Sequence, residues 1–594
     1  MDRCKPTRLR FGPFEADLEA LELFDSGEQV HLQSKPFQFL ATLIQHPGEV
    51  VTREQMSHVL WPDIYVQVNQ GLNAAARKVR IALSDQVDRP KYFETLGSQG
   101  YRFIHDIDVL SWSSGDTNST DTPIRIAVLP FQTEGSEQFY GSGLAAELTG
   151  LLGRVHPRLK TVAPGSTFKF RKGADDLKTI AEKLSAQYLV SGSFQLHRNR
   201  LSISTKLLAV EEGRLVWEWS TERNADAIFN ALSEIAEQIV RALPEGILPQ
   251  GVIPPLCKST QFSNYLGFLT AQNAWYDRSY TRAAEALASF QKVASRDPGF
   301  APAHAGIANA HVLLAKHELV PSRPAYQAAI KASAAALDLS PELPEALVPM
   351  AWARLSLEHD WVSATRIYER VLQSNPSYAF GYIGYGTLLL ARGRVDDAVA
   401  AMEQAHQLDP LSPFASTSLS SAYYYARRYD DAIRQARYAL ELDEKWCCAH
   451  ALVGVSCLAQ RRYSDALTHF ELATECSNND PVMEAQLAHA YAHFGKISSA
   501  EPILSRLENR EGHGPQPAFH IALIRLVLGD VNGAVRWLER ACQDRVERTL
   551  FIGIDPRLDI LRGTKHFEEM CKQVREPDPR RVAQDPIASR GGAA

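Results

Sequence analysis

A repeating sequence pattern runs through the second half of the chain and limits the folds that this half can adopt. Helix-ending signatures lie 34 residues apart, at Asn375-Pro376, Leu408-Asp409-Pro410 and Leu442-Asp443-Glu444. A repeat of this length is typical of a solenoid of helical hairpins, in which each hairpin buries its apolar face against its neighbours. The register therefore predicts that about half of the chain is a binding scaffold rather than a catalytic domain.

Small and aromatic residues occupy fixed places within each repeat. The segment that ends at Pro410 carries Tyr382, Tyr385, Gly386, Leu389, Gly393, Ala398, Met402 and Ala405. Gly386 and Ala398 allow the two antiparallel helices to approach closely, and Pro410 stops the second helix. The pattern resembles that of tetratricopeptide repeats. We expect seven or eight repeats over residues 258–545, a helical cap over 546–574 and a disordered tail over 575–594.

The interior of such an array offers a candidate groove. With Ala379, Pro413 and Cys447 as first positions, the first helices of the repeats place apolar and aromatic side chains on the concave surface, namely Phe380, Ile383, Phe414, Tyr424 and Tyr425. Such a groove suits an apolar or aromatic-bearing peptide, since no lysine or arginine cluster stands at those positions. The alternative is that these side chains pack between neighbouring helices.

Residues 1–110 alternate between short strands and short helices. Thr7–Phe11, Leu21–Phe24 and a hairpin of Tyr92–Thr95 with Tyr101–Ile104 are predicted strands, and Thr52-Arg53-Glu54-Gln55 is a capping box at a helix start. A basic helix is predicted over residues 72–83, with an apolar stripe formed by Leu72, Ala76, Val79 and Leu83. The order of two helices, a longer basic helix and a hairpin predicts an α+β winged helix.

Four segments in the correct order carry a family resemblance: residues 50–56, 60–62, 72–83 and 100–103. Together they resemble the OmpR/PhoB-type winged-helix DNA-binding domain. The resemblance implies that the third helix enters the major groove of double-stranded DNA and that the hairpin wing reaches the adjacent minor groove. It assigns base reading to Asn73 and Arg77, and phosphate or mixed contacts to Lys78 and Arg80. The wing adds Gln99 and Arg102 to this set.

The same resemblance points to a second surface. The loop from Trp61 to Asn69, with Trp61, Asp63 and Tyr65, corresponds to the segment that touches RNA polymerase in activators of this type. Two-component regulators also carry a receiver domain before this DNA-binding domain. The winged helix begins near residue 6 here, so we do not expect control by aspartyl phosphorylation within this chain.

Two departures from the family pattern weaken the prediction that this domain binds DNA. Residues 1–110 contain 12 Lys and Arg against 15 Asp and Glu, and the wing tip Gly97-Ser98-Gln99 has no cation. Counterion release needs several neutralised phosphates, so weak non-specific DNA affinity should follow. An alternative interpretation is a cytosolic scaffold or adaptor whose winged helix no longer reads DNA.

The section over 123–245 is a predicted α/β domain, joined to the winged helix by a flexible polar linker over 111–122. Its pattern is strand, helix, strand, helix, three consecutive antiparallel strands and a helix. Ile124–Phe131 and Val190–Ser193 resemble the TolB amino-terminal or FlgO-like domain, which implies no reaction. Gly141-Ser142-Gly143 lacks the third glycine and the lysine of a nucleotide-binding loop. A second predicted linker, over Pro244–Pro255, connects this domain to the repeats.

Several function classes are not expected. The net charge is -6, no apolar run approaches the roughly 18 residues of a membrane span, and no signal peptide opens the chain. Cys447, Cys448 and His450 have no second ligand pair at metal spacing, and no nucleophile and base can be paired for catalysis. We therefore expect a cytoplasmic protein that is not an enzyme and has no metal, cofactor or membrane partner.

The combined architecture resembles HilA-like and CadC-like one-component transcription regulators, without the membrane span of the CadC type. The resemblance implies a bacterial regulator that binds promoter or operator DNA through its winged helix. Its repeats would bind a protein or peptide, or mediate self-association into a homo-oligomer.

Overall fold

The chain divides into two compact units, unit 1 over Met1–Thr122 and unit 2 over Pro123–Ala594. The computed structural model describes residues 6–18, 22–25, 28–30, 32–45, 47–48, 50–60, 68–86, 89–97, 99–105, 107–112, 123–133, 138–171, 176–243, 261–277, 280–510 and 516–575. Within those ranges, none of the helices combines the length and the apolar character that a membrane span requires. Both predicted linkers and the predicted tail lie outside the described residues, except for Ser111, Trp112 and Arg575. Their boundaries stay predictions.

The described residues of unit 1 form two small antiparallel sheets and three helices. Its elements in chain order are β1 (Pro6–Phe11), β2 (Phe14–Asp17), β3 (Glu22–Asp25), β4 (Glu28–Val30), α1 (Ser34–Ile44), β5 (Val50–Thr52), α2 (Arg53–Leu60), α3 (Val68–Ala82), β6 (Phe93–Leu96), β7 (Gly100–Phe103) and β8 (Asp108–Trp112). The sheets have the strand orders β4-β3-β2-β1-β8 and β5-β7-β6. The predicted winged-helix order is confirmed, whereas β2, β4, β5 and β8 were not predicted.

Local chemistry explains how α2 and the wing begin. Thr52 N donates to Gln55 Oε1 at 2.9 Å, and Gln55 N donates to Thr52 Oγ1 at 3.1 Å, so the predicted capping box is confirmed. A Cβ at Gly100 would lie 2.1 Å from Val51 O. Glycine is therefore required where β7 passes β5.

A single carboxylate ties the wing to the end of α3. Asp85 accepts backbone hydrogen bonds from Lys91, Tyr92 and Phe93 at 2.6, 3.2 and 3.3 Å. Beneath this junction, the aromatic core includes Phe11, which lies 5.3 Å from the ring of Phe103 with the two rings edge to face. The wing therefore has a set position relative to α3.

The last strand of unit 1 sets the length of a folded fragment. β8 pairs with β1, and Val109 and Asp108 lie opposite Leu9 and Arg10. We expect residues 1–112 to unfold cooperatively as an isolated fragment, as single domains usually do. A fragment of residues 1–106 should be less stable because β1 keeps β2 but loses its second partner, β8. Urea unfolding followed by circular dichroism compares the two, and the absence of a cooperative transition for residues 1–112 would show that unit 1 depends on unit 2.

Unit 2 opens with a mixed sheet and its helices. The elements are β9 (Ile124–Val128), β10 (Gln132–Thr133), α4 (Gln138–Leu152), β11 (Leu159–Thr161), α5 (Pro164–Thr167), α6 (Leu177–Leu184), β12 (Tyr188–His197), β13 (Arg200–Ala209), β14 (Arg214–Asn224) and α7 (Ile228–Ala242). The main strand order is β11-β9-β12-β13-β14, with β9 parallel to β11 and β12 and the last three strands antiparallel. The predicted element pattern and antiparallel set are confirmed.

The repeats follow as antiparallel helical hairpins. Their helices are α8 (Phe262–Asp277), α9 (Tyr280–Arg296), α10 (Ala301–Lys316), α11 (Ser322–Leu339), α12 (Pro344–Glu358), α13 (Trp361–Ser374), α14 (Ala379–Ala391), α15 (Val395–Leu408), α16 (Pro413–Tyr425), α17 (Tyr429–Leu442), α18 (Cys447–Ala459), α19 (Tyr463–Cys476), α20 (Pro481–His493), α21 (Ile497–Glu508), α22 (Ala518–Val527) and α23 (Val531–Gln543). In the described part of the chain these make eight hairpins, so the predicted solenoid is confirmed. A Cβ at Gly386 would lie 2.9 Å from Met402 Cγ, which explains the glycine at this close approach.

The turns that set the 34-residue register also hold the mixed sheet in place. Thr161 N donates to Ser377 Oγ at 3.1 Å, and Ser166 Oγ donates to Asp409 Oδ1 at 2.6 Å. Ala163 N donates to Leu408 O at 2.8 Å. The sheet and the solenoid therefore form one compact body.

The segment after α23 does not simply cap the end of the array. It consists of two 3₁₀ helices, Glu547–Phe551 and Pro556–Leu561, followed by α24 (Lys565–Arg575). The carboxylate of Glu547 accepts from Trp352 Nε1 of α12 at 3.1 Å, and the ring of Phe551 lies 5.2 Å from that of Tyr425 in α16. A short segment can touch repeats so far apart only from the concave side of a solenoid.

Candidate DNA-binding surface

The helix predicted to enter DNA has one buried face and one exposed face. Leu72 and Val79 are buried, whereas Asn73, Arg77 and Lys78 are exposed. The sequence of α3 contains no acidic residue. The exposed face is therefore positively charged, as the spacing predicts.

Arg53 connects this face to the wing. Its Nη1 donates to Asn73 Oδ1 at 3.2 Å, and its Nε donates to Gly97 O at 3.2 Å at the wing turn. The guanidinium carbon lies 5.2 Å from the centroid of the Tyr101 ring, and Tyr101 OH donates to Asn73 Oδ1 at 3.3 Å. Asn73 is thus held in one orientation by α2 and β7.

Sequence reasoning missed Arg53 as a functional candidate, because it stands inside a capping box and has no period in common with α3. The available signal was weak: an arginine at the first position of a helix, where the macrodipole disfavours a cation. A positive charge at the start of a helix suggests that the side chain has a partner elsewhere in the fold.

Arg80 does not belong to the exposed face, and its assignment as a phosphate contact is wrong. It is 7% exposed, and its Nη2 donates to Phe93 O at 3.1 Å and to Thr95 Oγ1 at 3.2 Å. Its guanidinium lies 4.2 Å from the Phe93 ring centroid, and burial lowers its pKa. Arg80 therefore joins α3 to β6 instead of reaching DNA.

The other basic candidates differ in availability. Lys78 is exposed and its Nζ donates to Gln33 Oε1 at 2.5 Å, beside the start of α1. Arg102 forms an ion pair with Glu94 on the neighbouring strand, with Nε donating to Oε1 at 2.7 Å. Gln99 is exposed at the wing turn. The wing therefore presents a neutral amide and a partly neutralised arginine.

The proposed polymerase-contact residues Trp61, Asp63 and Tyr65 lie outside the described residues. Their assignment stays a prediction.

Comparison with known proteins supports this geometry. The family described as "Transcriptional regulatory protein, C terminal" matches residues 27–103, and the tetratricopeptide repeat family matches residues 350–413 and 417–481. The chain carries an OmpR/PhoB-type winged helix and tetratricopeptide repeats. This combination is that of a DNA-binding transcriptional regulator.

Individual relatives share a large part of the chain at low identity. The transcriptional regulator HilA of Salmonella typhimurium is 22% identical over 405 residues, covering 68% of this chain and 71% of that protein. A Rhizobium meliloti protein whose name assigns it to the adenylate cyclases is 24% identical over 272 residues, covering 41% of this chain and 45% of its own. That the present chain is not an enzyme stays a prediction.

Among solved structures, the DNA-binding domain of Klebsiella pneumoniae RstA, in complex with the RstA box, is 25% identical. The match covers 16% of this chain and 96% of the RstA domain, with a TM-score of 0.16. The predicted resemblance of residues 123–245 to TolB or FlgO-like domains stays a prediction.

The predicted peptide groove of the tetratricopeptide repeats is not an exposed surface. All five of its residues are buried, with exposed fractions of 9% or less: Phe380, Ile383, Phe414, Tyr424 and Tyr425. They belong to one hydrophobic cluster with residues of the C-terminal segment. The assignment to an exposed groove is therefore wrong: these side chains pack between neighbouring helices, which was the alternative, and also against α8 and the C-terminal segment.

The interior is covered from two sides. Phe380 packs against Trp275 of α8, with ring centroids 6.3 Å apart, while Tyr425 packs against Phe551 of the C-terminal segment. A cavity of about 160 Å³ is left beside Tyr424 and the charged side chains of Glu318 and Arg557. Glu547, Phe551 and Arg557 of the C-terminal segment also line this space.

Proposed function

We propose that this chain binds a specific double-stranded DNA site through the exposed face of α3 and regulates transcription in the cytoplasm. The observation that carries the proposal is that Asn73 and Arg77 lie on the same exposed face of α3, a helix whose sequence contains no carboxylate. Asparagine and arginine are the side chains best suited to bidentate reading of adenine and guanine in the major groove.

The contacts around α3 suggest a division of roles. Asn73 is oriented by Arg53 and Tyr101, which lowers the entropy that the side chain loses on reading a base. Lys78 stands on the side of α3 that faces Gln33 and is suited to a phosphate contact. Arg53 itself lies between α3 and the wing turn, where it can contact the phosphate backbone of bound DNA.

Arg77→Ala is expected to weaken binding to the specific site by about 1–3 kcal/mol and to relax base preference, whereas Lys78→Ala should lower affinity evenly across sequences. Fluorescence anisotropy with the chain's own promoter region and with random DNA, each over a series of salt concentrations, measures both effects. Arg10→Ala is the matched control, because Arg10 pairs with Glu15 in the first sheet. Equal losses on specific and random DNA for Arg77→Ala would contradict its role as a base reader.

A scaffold or adaptor whose winged helix does not read DNA is the second candidate function. It is favoured by the pairing of Arg102 with Glu94 and the burial of Arg80, which remove two cations from the expected surface. Mapping genomic sites by immunoprecipitation separates the candidates: a shared sequence motif supports the regulator, and its absence supports the scaffold.

Further partners belong to the same proposal. Contact between RNA polymerase and the segment that contains Trp61, Asp63 and Tyr65 would follow from the family, as would a protein partner of the repeats. Because Phe380 and Tyr424 are buried, we place that partner, or a second copy of the chain, on the outer surface of the solenoid.

A further inference from the structure

A second cavity lies inside unit 2, where the sheet meets the first repeats. Its volume is about 140 Å³, and α4, α8, α10, α12 and α14 contribute to its walls. A cavity of about 150 Å³ in another protein accommodates benzene. This space therefore suits a ligand of about six non-hydrogen atoms.

The charges that line this cavity are all of one sign. Glu147, Glu345 and Asp409 contribute carboxylates, and none of the described residues that line it is lysine, arginine or histidine. Arg154 Nη2 lies 3.3 Å from Glu345 Oε2, and Ser166 Oγ donates to Asp409, so these two carboxylates are compensated by neighbours. The lining excludes an anionic ligand.

Glu147 is the carboxylate of this lining for which no ion pair is found among the described residues, since the nearby Arg154 pairs with Glu345. It is 7% exposed and accepts a hydrogen bond from Gln272 Nε2 at 3.3 Å. Burial raises the pKa of Glu147 to about 7; Glu345 adds to the rise, while Gln272 and the nearby Arg154 oppose it. A cation placed at Glu147 would stabilise the ionised carboxylate.

Two further acceptors in the cavity wall await donors. Asn309 is 5% exposed, and its Nδ2 donates to Glu345 O at 2.6 Å and to Ala305 O at 2.9 Å. Its Oδ1 and the Oε1 of Gln272 have no hydrogen-bond partner among the described residues. A buried acceptor without a donor is unfavourable, so a ligand with N–H groups would be stabilised here.

Part of the remaining wall is aromatic. Trp275, Tyr276, Phe380 and Phe414 all line the cavity. The rings of Trp275 and Phe380 are edge to face with centroids 6.3 Å apart, and those of Phe380 and Phe414 are 6.1 Å apart. Aromatic faces attract organic cations and also accept an apolar stem.

We infer that this cavity binds a small organic cation that carries N–H donors, of the alkylammonium or amidinium class. Its charged nitrogen lies at Glu147 and within reach of Asn309, and its apolar part lies against Trp275 and Phe380. Because the ligand contacts both α4, which packs on the sheet, and helices of the repeats, binding stabilises their packing against each other. The inference does not rest on DNA binding.

Isothermal titration of the full chain with n-butylammonium chloride tests this site. We expect saturable binding of one ion per chain, at least ten times tighter than that of 1-butanol, which has a similar shape but no charge. Tetramethylammonium, a cation without N–H donors, should fall between the two. Glu147→Gln should weaken n-butylammonium binding at least tenfold and leave the response to 1-butanol unchanged. Glu182→Gln, at an exposed carboxylate of α6, is the matched control and should have no effect.

Gln272→Lys provides a second variant if Glu147→Gln fails to fold, because a lysine in the lining should abolish n-butylammonium binding. The inference is overturned if n-butylammonium shows no saturable binding at millimolar concentration. It is also overturned if 1-butanol binds equally well, or if neither Glu147→Gln nor Gln272→Lys lowers the affinity.

Discussion

Phe380→Ala is expected to lower the free energy of unfolding of unit 2 by about 3–5 kcal/mol, the usual loss for a buried phenylalanine. The Phe380 ring is 9% exposed and stacks on Trp352 at 5.9 Å between centroids, with Trp275 and Phe414 on other sides. Three large rings cannot all move into the vacated volume, so a cavity remains. Urea unfolding of the full chain, followed by circular dichroism of the helical signal, measures the change.

Phe494→Ala is the matched control in the same solenoid. Phe494 is 45% exposed, and its ring is contacted by Lys496 Nζ, 5.2 Å from the centroid, and by the edge-to-face ring of Tyr463 at 6.5 Å. Exposed substitutions of this kind usually change stability by less than about 0.5 kcal/mol. Small and equal losses for the two variants would mean that Phe380 is not part of the core, and the peptide groove would return as an explanation for it.

Arg557→Met is expected to destabilise unit 2 by about 3–5 kcal/mol, because it leaves a buried carboxylate without its cation. Asp555 is 0% exposed, and its Oδ2 lies 2.7 Å from Arg557 Nη2 while its Oδ1 accepts from Nε at 3.0 Å. The guanidinium also lies 5.5 Å from the centroid of the Phe519 ring in α22. Loss of this pair should release the segment of residues 546–561 from the interior.

Hydrogen exchange of residues 546–561, together with urea unfolding, measures that release. Arg562→Met is the control, since Arg562 and Asp559 form a partly exposed pair, and such pairs contribute about 0–1 kcal/mol. The double variant Asp555→Asn with Arg557→Met should recover part of the loss, because no charge is then left buried. If Arg557→Met and Arg562→Met have the same effect, the C-terminal segment is not anchored by the buried pair.

Local periodicity does not reveal which elements bury Phe380 and Arg557. The helix α14, with the sequence AFGYIGYGTLLLA, is apolar on every side. Such a helix must be buried all round, but its pattern does not say which element covers the side that faces away from the neighbouring hairpin. In this protein α8 and the C-terminal segment supply that cover, and both are far from α14 in sequence.

In α3, too, the sequence pattern predicts part of the burial and tertiary contacts decide the rest. The spacing of apolar residues in α3 places Arg77 on the exposed side, and the structure agrees. Arg80 stands at the margin between the faces, where spacing is a poor guide. The backbone carbonyl of Phe93, brought close by the wing, decides that Arg80 is buried.

The sequence by itself determined the solenoid, the succession of strands and helices over residues 123–245 and the winged helix, because each rests on local periodicity, turn residues and capping groups. The tertiary structure alone decided three things: that Arg53 orients Asn73, that Arg80 is structural and that the concave face of the repeats is filled. The physical reason is that a local pattern states how much of an element must be buried. Which partner buries it depends on contacts between different elements, from Arg80 with Phe93, 13 positions apart, to Trp352 with Glu547, 195 positions apart.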